Sequence, residues 1–179
     1  TWRIIAHTPN SANSKALGFV KFITSNKGQI VVDRSGYVDL RLKPMKSKIA
    51  PEILAALGEA LGVDNIQSAA RLSTNLRFNT GDANLDIKAL ADLERLPRYV
   101  ASNYPNHKVV ILGFTDSSGG PNVKVPLSKK RSNSVASELR TSGVDSHSSG
   151  LGSSLPVATN DTELGKAKNR RAEVWVVKP

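Results

Sequence analysis

A short apolar run, Val109-Val110-Ile111-Leu112, constrains the fold more than any other segment of the chain. Consecutive apolar residues without alternation are typical of a strand buried on both faces of a sheet. Gly113 ends the run, so Asp116 stands just beyond the carboxyl end of the strand. Open α/β sheets usually bind their ligands at that end. The segment therefore predicts a central strand with a carboxylate just beyond its carboxyl end, where a ligand could bind.

The helix predicted next, over residues 127–141, carries a charge on its apolar stripe. Arg131 stands where an apolar residue is expected among the other stripe positions, Leu127, Val135 and Leu139. A cation on a buried face needs an anion or a ligand to offset its desolvation. Asp116 and Arg131 could together bind a zwitterion, the carboxylate accepting from an ammonium and the guanidinium pairing with a carboxylate. A structural ion pair between the two is the alternative, and spacing does not decide.

The remaining elements after residue 65 follow from periodicity and turn residues. Alternation over 72–78 predicts a strand, and helical spacing over 86–96 predicts a helix that Pro97 interrupts. The Ser/Gly-rich stretch 146–154 is predicted to be a loop, and 171–177 a closing strand. This β-α-β-α-β order with long crossovers indicates an α/β layer fold.

The first 65 residues are predicted to form a separate N-terminal segment, followed by a domain over 66–179. Helices are expected over 13–26 and from Pro51 to Leu61, with Gly62 as the stop. Ile30-Val31-Val32 either extends the first helix or forms a strand, and periodicity leaves both possibilities open. The segment is therefore predicted to be a small helical or α/β unit.

The charge balance predicts an acidic partner. There are 25 Lys and Arg against 15 Asp and Glu, a net charge of +10. Nucleic acid, an anionic membrane surface and a carboxylate-bearing polymer all fit this excess. Aromatic residues make up only 5% and do not alternate with the basic ones, which argues against a stacking platform for nucleic acid. A basic nucleic-acid-binding domain, with binding that falls steeply with salt, remains the alternative.

No catalytic, metal or cofactor constellation is predicted. The chain has no Cys, and its three His are scattered without paired ligand spacing. Asp145, His147 and the neighbouring serines crowd one stretch without the strand-to-helix context of a nucleophile. Residues 113–120 lack the Gly-Lys-Ser/Thr of a phosphate loop. No stretch is long and apolar enough to cross a membrane, and the absence of a leader before Thr1 predicts a mature or trimmed form.

Several of these residues recur in order with a known spacing. Residues 113–116 (Gly-Phe-Thr-Asp), Leu127-Ser128, Arg131 and Asn169-Arg170-Arg171 resemble the pattern of OmpA-like peptidoglycan-binding domains, over about residues 70–179. The resemblance implies a mixed sheet with two main helices on one face and no enzymatic activity. It also implies a cell-wall-associated protein in the periplasm of a diderm bacterium.

In that family the stem peptide of peptidoglycan is held by its diaminopimelate side chain. The resemblance therefore assigns the ammonium to Asp116 and the carboxylate to Arg131. The other candidate contacts are Thr115 and Leu127, and the rim is Asn79, Thr80, Gly81 and Lys124. Lys124 departs from the pattern, which usually has Asn there, and is expected on a loop facing the site. The triplet at 169–171 is expected to be mainly structural, with one arginine near the site.

A weaker resemblance concerns the N-terminal segment. Residues 19–25, 28–29 and 36–40 are similar to the C-terminal end of phosphate-binding-type periplasmic substrate-binding proteins. This implies that residues 1 to about 45 are the tail of an upstream receptor module. A small extension packed on the following domain is the alternative.

Overall fold

The computed structural model describes residues 13–37, 39–46, 48–74, 76–85 and 87–179, with the backbone alone at 26, 87, 88 and 91. The chain divides into two compact units, the first ending at Arg41 and the second running from Leu42 to Pro179. This division falls upstream of the boundary predicted between 65 and 66. Residues 42–65 lie in the second unit because their helix contributes to its core.

The described part of the first unit is helical. Helix α1 spans Ser14–Thr24, and the Asn13 side chain caps it by accepting from the amide of Ala16 at 2.9 Å. Helix α2 spans Asn26–Arg34, so the segment 30–32 is helical. The structure does not test the predicted receptor module, which stays a prediction.

The second unit is built on one mixed sheet. Its strands are β1 (Pro44–Met45), β2 (Ser68–Leu72), β3 (Leu76–Arg77), β4 (Lys108–Gly113), β5 (Ser146–Gly150) and β6 (Arg171–Lys178). Their order is β1-β2-β6-β4-β5, and β3 also pairs with β6. Strands β4 and β5 are parallel, and the other pairs are antiparallel. The sequence prediction of a mixed sheet is confirmed.

The helices of this unit are α3 (Pro51–Leu61), α4 (Ile87–Glu94), α5 (Leu96–Asn103), α6 (Pro121–Thr141) and α7 (Glu163–Asn169). Gly62 ends α3 with φ at 67°, a left-handed conformation that glycine adopts readily. The break near Pro97 separates α4 from α5, as predicted. Helix α6 begins at Pro121, earlier than predicted, and α7 was not predicted. No helix within the described residues has the length and apolarity needed to cross a bilayer.

Two strand predictions were wrong. The strand expected over 72–78 is divided into β2 and β3. The Ser/Gly-rich loop expected over 146–154 contains β5, which runs parallel to β4 from Ser146 to Gly150. Small residues are needed there because α6 crosses closely, and a Cβ on Gly150 would lie 2.5 Å from the Lys129 amide nitrogen. The composition typical of a loop thus reflects close helix packing.

Strand β4 is buried on both faces, as its apolar run predicted. Val109 and Ile111 pack in a core with α4, α5 and α6, whereas Val110 and Leu112 pack on the opposite face with α3. The resemblance implied two main helices on one face of the sheet; α4, α5 and α6 pack there, and α3 covers the other face. This packing fixes the carboxyl end of β4 in the interior.

Candidate functional site

The position of α6 over the sheet depends on a close contact at Gly113. A Cβ on Gly113 would fall 1.9 Å from the Ser128 carbonyl oxygen, so only glycine allows this approach. The Ser128 hydroxyl donates to the Val125 carbonyl at 2.7 Å and accepts from the Gly152 amide at 2.9 Å. These contacts hold α6 against β4 and the chain after β5. Arg131, about one turn later, is thereby directed into the interior.

The Arg131 side chain is fully buried and bonds to main-chain carbonyls. Nε donates to Asp82 O at 2.8 Å, Nη1 to Phe114 O at 3.0 Å and Nη2 to Asn79 O at 2.9 Å. The guanidinium carbon also lies 5.2 Å from the centre of the Phe78 ring. A guanidinium has five N–H donors, so two remain for another acceptor.

Burial is the largest influence on the pKa of Arg131. It lowers the pKa of the guanidinium to about 10, and the positive charge of Arg170 adds to this effect. The carboxylates of Asp116 and Asp82 act in the opposite direction. Because this pKa stays well above 7, the group is a buried cation at neutral pH.

Asp116 is 5% exposed and pairs with Arg170 and not with Arg131. Its Oδ2 accepts from Nη1 of Arg170 at 2.8 Å, and its Oδ1 accepts from the Ser118 amide at 2.9 Å. Arg170 also donates from Nε to the Phe78 carbonyl at 3.2 Å. Among the described residues, no ion pair joins Asp116 to Arg131, so the alternative of a structural ion pair between them is not observed.

The pKa of Asp116 lies below its ordinary value. Burial alone would raise it, but the hydrogen bonds from Arg170 and Ser118 and the positive charge of Arg170 together lower it. The site therefore holds an ionised carboxylate beside two guanidinium groups, with the Asp82 carboxylate close enough to influence Arg131. These four charges balance, and such a set suits a neutral zwitterion better than a polyanion.

Asn169 supports the loop that carries Asp116. Its buried side chain accepts from the amides of Val157 and Ala158 and donates to Asn160 Oδ1 at 2.9 Å. Asn160 Oδ1 in turn accepts from the Ser117 amide at 3.2 Å. The sequence pattern predicted a mainly structural role for residues 169–171. Residue spacing gave no indication of the hydrogen bonds that link Asn169 through Asn160 to Ser117.

The other predicted site residues differ in their burial and hydrogen bonding. Thr115 is buried, and its hydroxyl has no hydrogen-bond partner among the described residues. Asn79, Thr80 and Gly81 form an exposed turn, with Gly81 at φ 69°, and Leu127 is half-buried. Lys124 lies in the first turn of α6 instead of on a loop, because its amide donates to the Gly120 carbonyl. No hydrogen bond or ion pair within the described residues joins Lys124 to Asp116 or Arg131.

The described residues contain no group of three or more His, Asp or Glu side chains that could hold a metal ion.

Comparison with known proteins places this site in a family. The model of the OmpA family matches residues 77–170, slightly more than half of the chain, and this range contains Asp116, Arg131 and Arg170. The chain is 39% identical over 114 residues to the probable lipoprotein YiaD of Escherichia coli, covering 62% of this chain and 51% of the relative. It is 43% identical over 75 residues to the peptidoglycan-binding protein ArfA of Mycobacterium tuberculosis, covering 40% and 23%. The chain thus spans about half or less of these relatives.

Solved structures confirm the fold class. The peptidoglycan-associated lipoprotein of Burkholderia pseudomallei superposes with a TM-score of 0.53 at 28% identity, covering 57% of this chain and 88% of that one. The periplasmic domain of Helicobacter pylori MotB shares the fold with a TM-score of 0.54 at 22% identity, covering 64% and 76%. The names of these relatives describe binding proteins and lipoproteins, in agreement with the prediction of a non-enzymatic domain. The chain belongs to the OmpA family.

Proposed function

We propose that the second unit binds peptidoglycan non-covalently through the zwitterionic end of diaminopimelate in the stem peptide. The observation that carries the proposal is a buried, ionised Asp116 beside Arg131, which is fully buried yet keeps two N–H donors. Membership of the OmpA family and the peptidoglycan-binding relative support it.

Each charged group of the ligand pairs with one charged side chain of the site. The diaminopimelate side chain ends in a carbon that bears both an ammonium and a carboxylate. Asp116 accepts from the ammonium while keeping its bond to Arg170, and the two remaining N–H groups of Arg131 donate to the carboxylate. The Thr115 hydroxyl, which has no partner among the described residues, supplies a further donor. Since a zwitterion carries no net charge, the balance of the site is preserved.

Access to Arg131 requires the rim to move. The guanidinium lies under the turn 79–82, and the carbonyls of Asn79 and Asp82 accept two of its hydrogen bonds. We propose that this exposed turn shifts as the ligand carboxylate takes its place beside the guanidinium. Lys124 and Leu127 complete the rim from α6 and contact the rest of the stem peptide.

The proposal implies a location at the cell wall, in the periplasm of a diderm bacterium. The names of the relatives, among them a lipoprotein and an outer-membrane porin, support this location. The net charge of +10 favours association with a polymer that carries carboxylates. An upstream receptor module, as the N-terminal resemblance implies, would then be held beside the wall.

Co-sedimentation with insoluble, diaminopimelate-type peptidoglycan tests the proposal. Asp116→Asn and Arg131→Lys should each reduce the bound fraction, with a loss of affinity of about 30-fold or more, because the first leaves the ligand ammonium unpaired and the second removes the paired hydrogen bonds to the ligand carboxylate. Arg131→Lys keeps the positive charge but loses the forked donors.

Two exposed residues supply matched controls. Asp145→Asn and Arg98→Lys make the same changes outside the site and should sediment like the parent. Circular dichroism checks that each variant is folded. If folded Asp116→Asn and Arg131→Lys both sediment like the parent, the zwitterion site is wrong.

A further inference from the structure

A second polar pocket lies at a break in the sheet. Pairing of β2 with β6 stops at Arg71 opposite Trp175, and pairing of β3 with β6 resumes at Leu76 opposite Ala172. A pocket of about 200 Å³ occupies this break, bordered by the start of β6 and by α7. Its charged lining residues are Arg71, Arg77, Lys168, Arg171 and Glu173.

Arg171 lines the pocket, and one of its nitrogens has no hydrogen-bond partner among the described residues. It is 5% exposed, and its guanidinium carbon lies 3.8 Å from the centre of the Phe114 ring. Nε donates to Glu173 at 2.8 Å and Nη2 donates to the Leu155 carbonyl at 3.0 Å. Nη1 is buried and has no hydrogen-bond partner among the described residues, and the same holds for the hydroxyl of Thr74, which also lines the pocket. Buried donors of this kind normally have an acceptor.

Cationic residues dominate the described lining of the pocket. Four of its residues are cationic and one, Glu173, is a carboxylate. Arg77 also donates to the carbonyl of Lys168. Glu173 accepts from Arg71 at 2.7 Å, from Arg171, and from the Trp175 indole at 3.2 Å. Burial lowers the pKa of Arg77, and the nearby charges of Arg171 and Arg71 lower it further. A bound anion would reduce the electrostatic repulsion among cations in a partly buried site.

We infer that this pocket binds a phosphate group, either as inorganic phosphate or as a phosphate monoester. A dianion matches a lining rich in cationic side chains better than a single carboxylate does, and its oxygens can accept from Nη1 of Arg171 and the Thr74 hydroxyl. The pocket is separate from the proposed peptidoglycan site. Arg170 pairs with Asp116, whereas Arg171 lines this pocket. The inference stands independently of the proposed peptidoglycan binding.

Calorimetric titration of the full chain with inorganic phosphate, at constant ionic strength in chloride, tests the inference. The parent should bind phosphate saturably and show a higher melting temperature in phosphate than in chloride. Lys168→Gln and Arg77→Gln should each weaken phosphate binding by about tenfold, the equivalent of one lost charge-assisted contact. Lys166→Gln, two residues away on α7 and paired with Glu163, is the matched control and should bind like the parent.

Titrations with two other anions distinguish a preference for phosphate from a general attraction of anions. Acetate at the same ionic strength should bind at least about tenfold more weakly than phosphate, and equal binding would overturn the inference. Glycerol 3-phosphate binding more tightly than phosphate would support a phosphate carried on a larger molecule, and the reverse would support the free ion. Absence of saturable phosphate binding, or an equal loss in Lys166→Gln and Lys168→Gln, would overturn it. Lys168→Gln should leave co-sedimentation with peptidoglycan unchanged.

Discussion

The Asp116 carboxylate forms its ion pair with a residue that lies far away in the chain. Arg131 lies on the buried face of α6, as the helical stripe predicted, whereas Asp116 forms its ion pair with Arg170. Arg170 lies 54 positions from Asp116 in the chain, and only the return of β6 beside β4 brings the two together. Spacing within one βα unit contains no information about such a distant partner.

The paired state of Asp116 should appear in the pH dependence of stability. Its pKa is lower in the folded protein than the ordinary value of about 3.9, so the ionised carboxylate stabilises the fold. This contribution is complete above about pH 5 and is lost as pH falls through the folded-state pKa. Asp116→Asn should therefore lower the free energy of unfolding by about 1–3 kcal/mol at pH 7, and less at pH 3.

Urea denaturation of both proteins from pH 3 to pH 8 measures this difference. Asp145→Asn, at an exposed carboxylate 3.4 Å from Lys108, is the control and should change stability by less than about 0.5 kcal/mol. A destabilisation by Asp116→Asn that is the same at pH 3 and pH 7 would contradict the assigned ion pair.

At the scale of elements, periodicity predicted what is locally encoded. The apolar run of β4, the Pro51–Leu61 helix with its Gly62 stop and the break at Pro97 all follow from short-range signals. Strand β5 lacked such a signal, because its register beside β4 and its small residues depend on α6 crossing above it. Helix α3 was predicted as an element, but its place on the second face of the sheet depends on contacts with β4 and β6.

The role of α3 can be tested within that helix. Leu57 is fully buried against the sheet, whereas Leu54 is 40% exposed. Leu57→Ala should reduce the free energy of unfolding by about 2–5 kcal/mol, and Leu54→Ala by less than about 1 kcal/mol. Equal effects of the two leucine variants, measured by urea denaturation, would show that α3 does not form part of this core.

At the scale of the whole molecule, the sequence restricted the function through charge and family pattern together. A net charge of +10 fits several acidic partners, but Asp116 at the centre of the site disfavours a polyanion. The match to the OmpA family over residues 77–170 covers the sheet edge and helix that build this site. The first unit and the phosphate pocket lie outside what the family pattern predicted.

The proposed recognition of the diaminopimelate zwitterion can be measured with a pair of muropeptides. A stem peptide with diaminopimelate and one with lysine at the same position differ by the terminal carboxylate assigned to Arg131. In calorimetric titrations the parent should bind the diaminopimelate peptide at least about tenfold more tightly, and Arg131→Lys should lose most of this preference. Equal affinity of the parent for the two peptides would contradict the account.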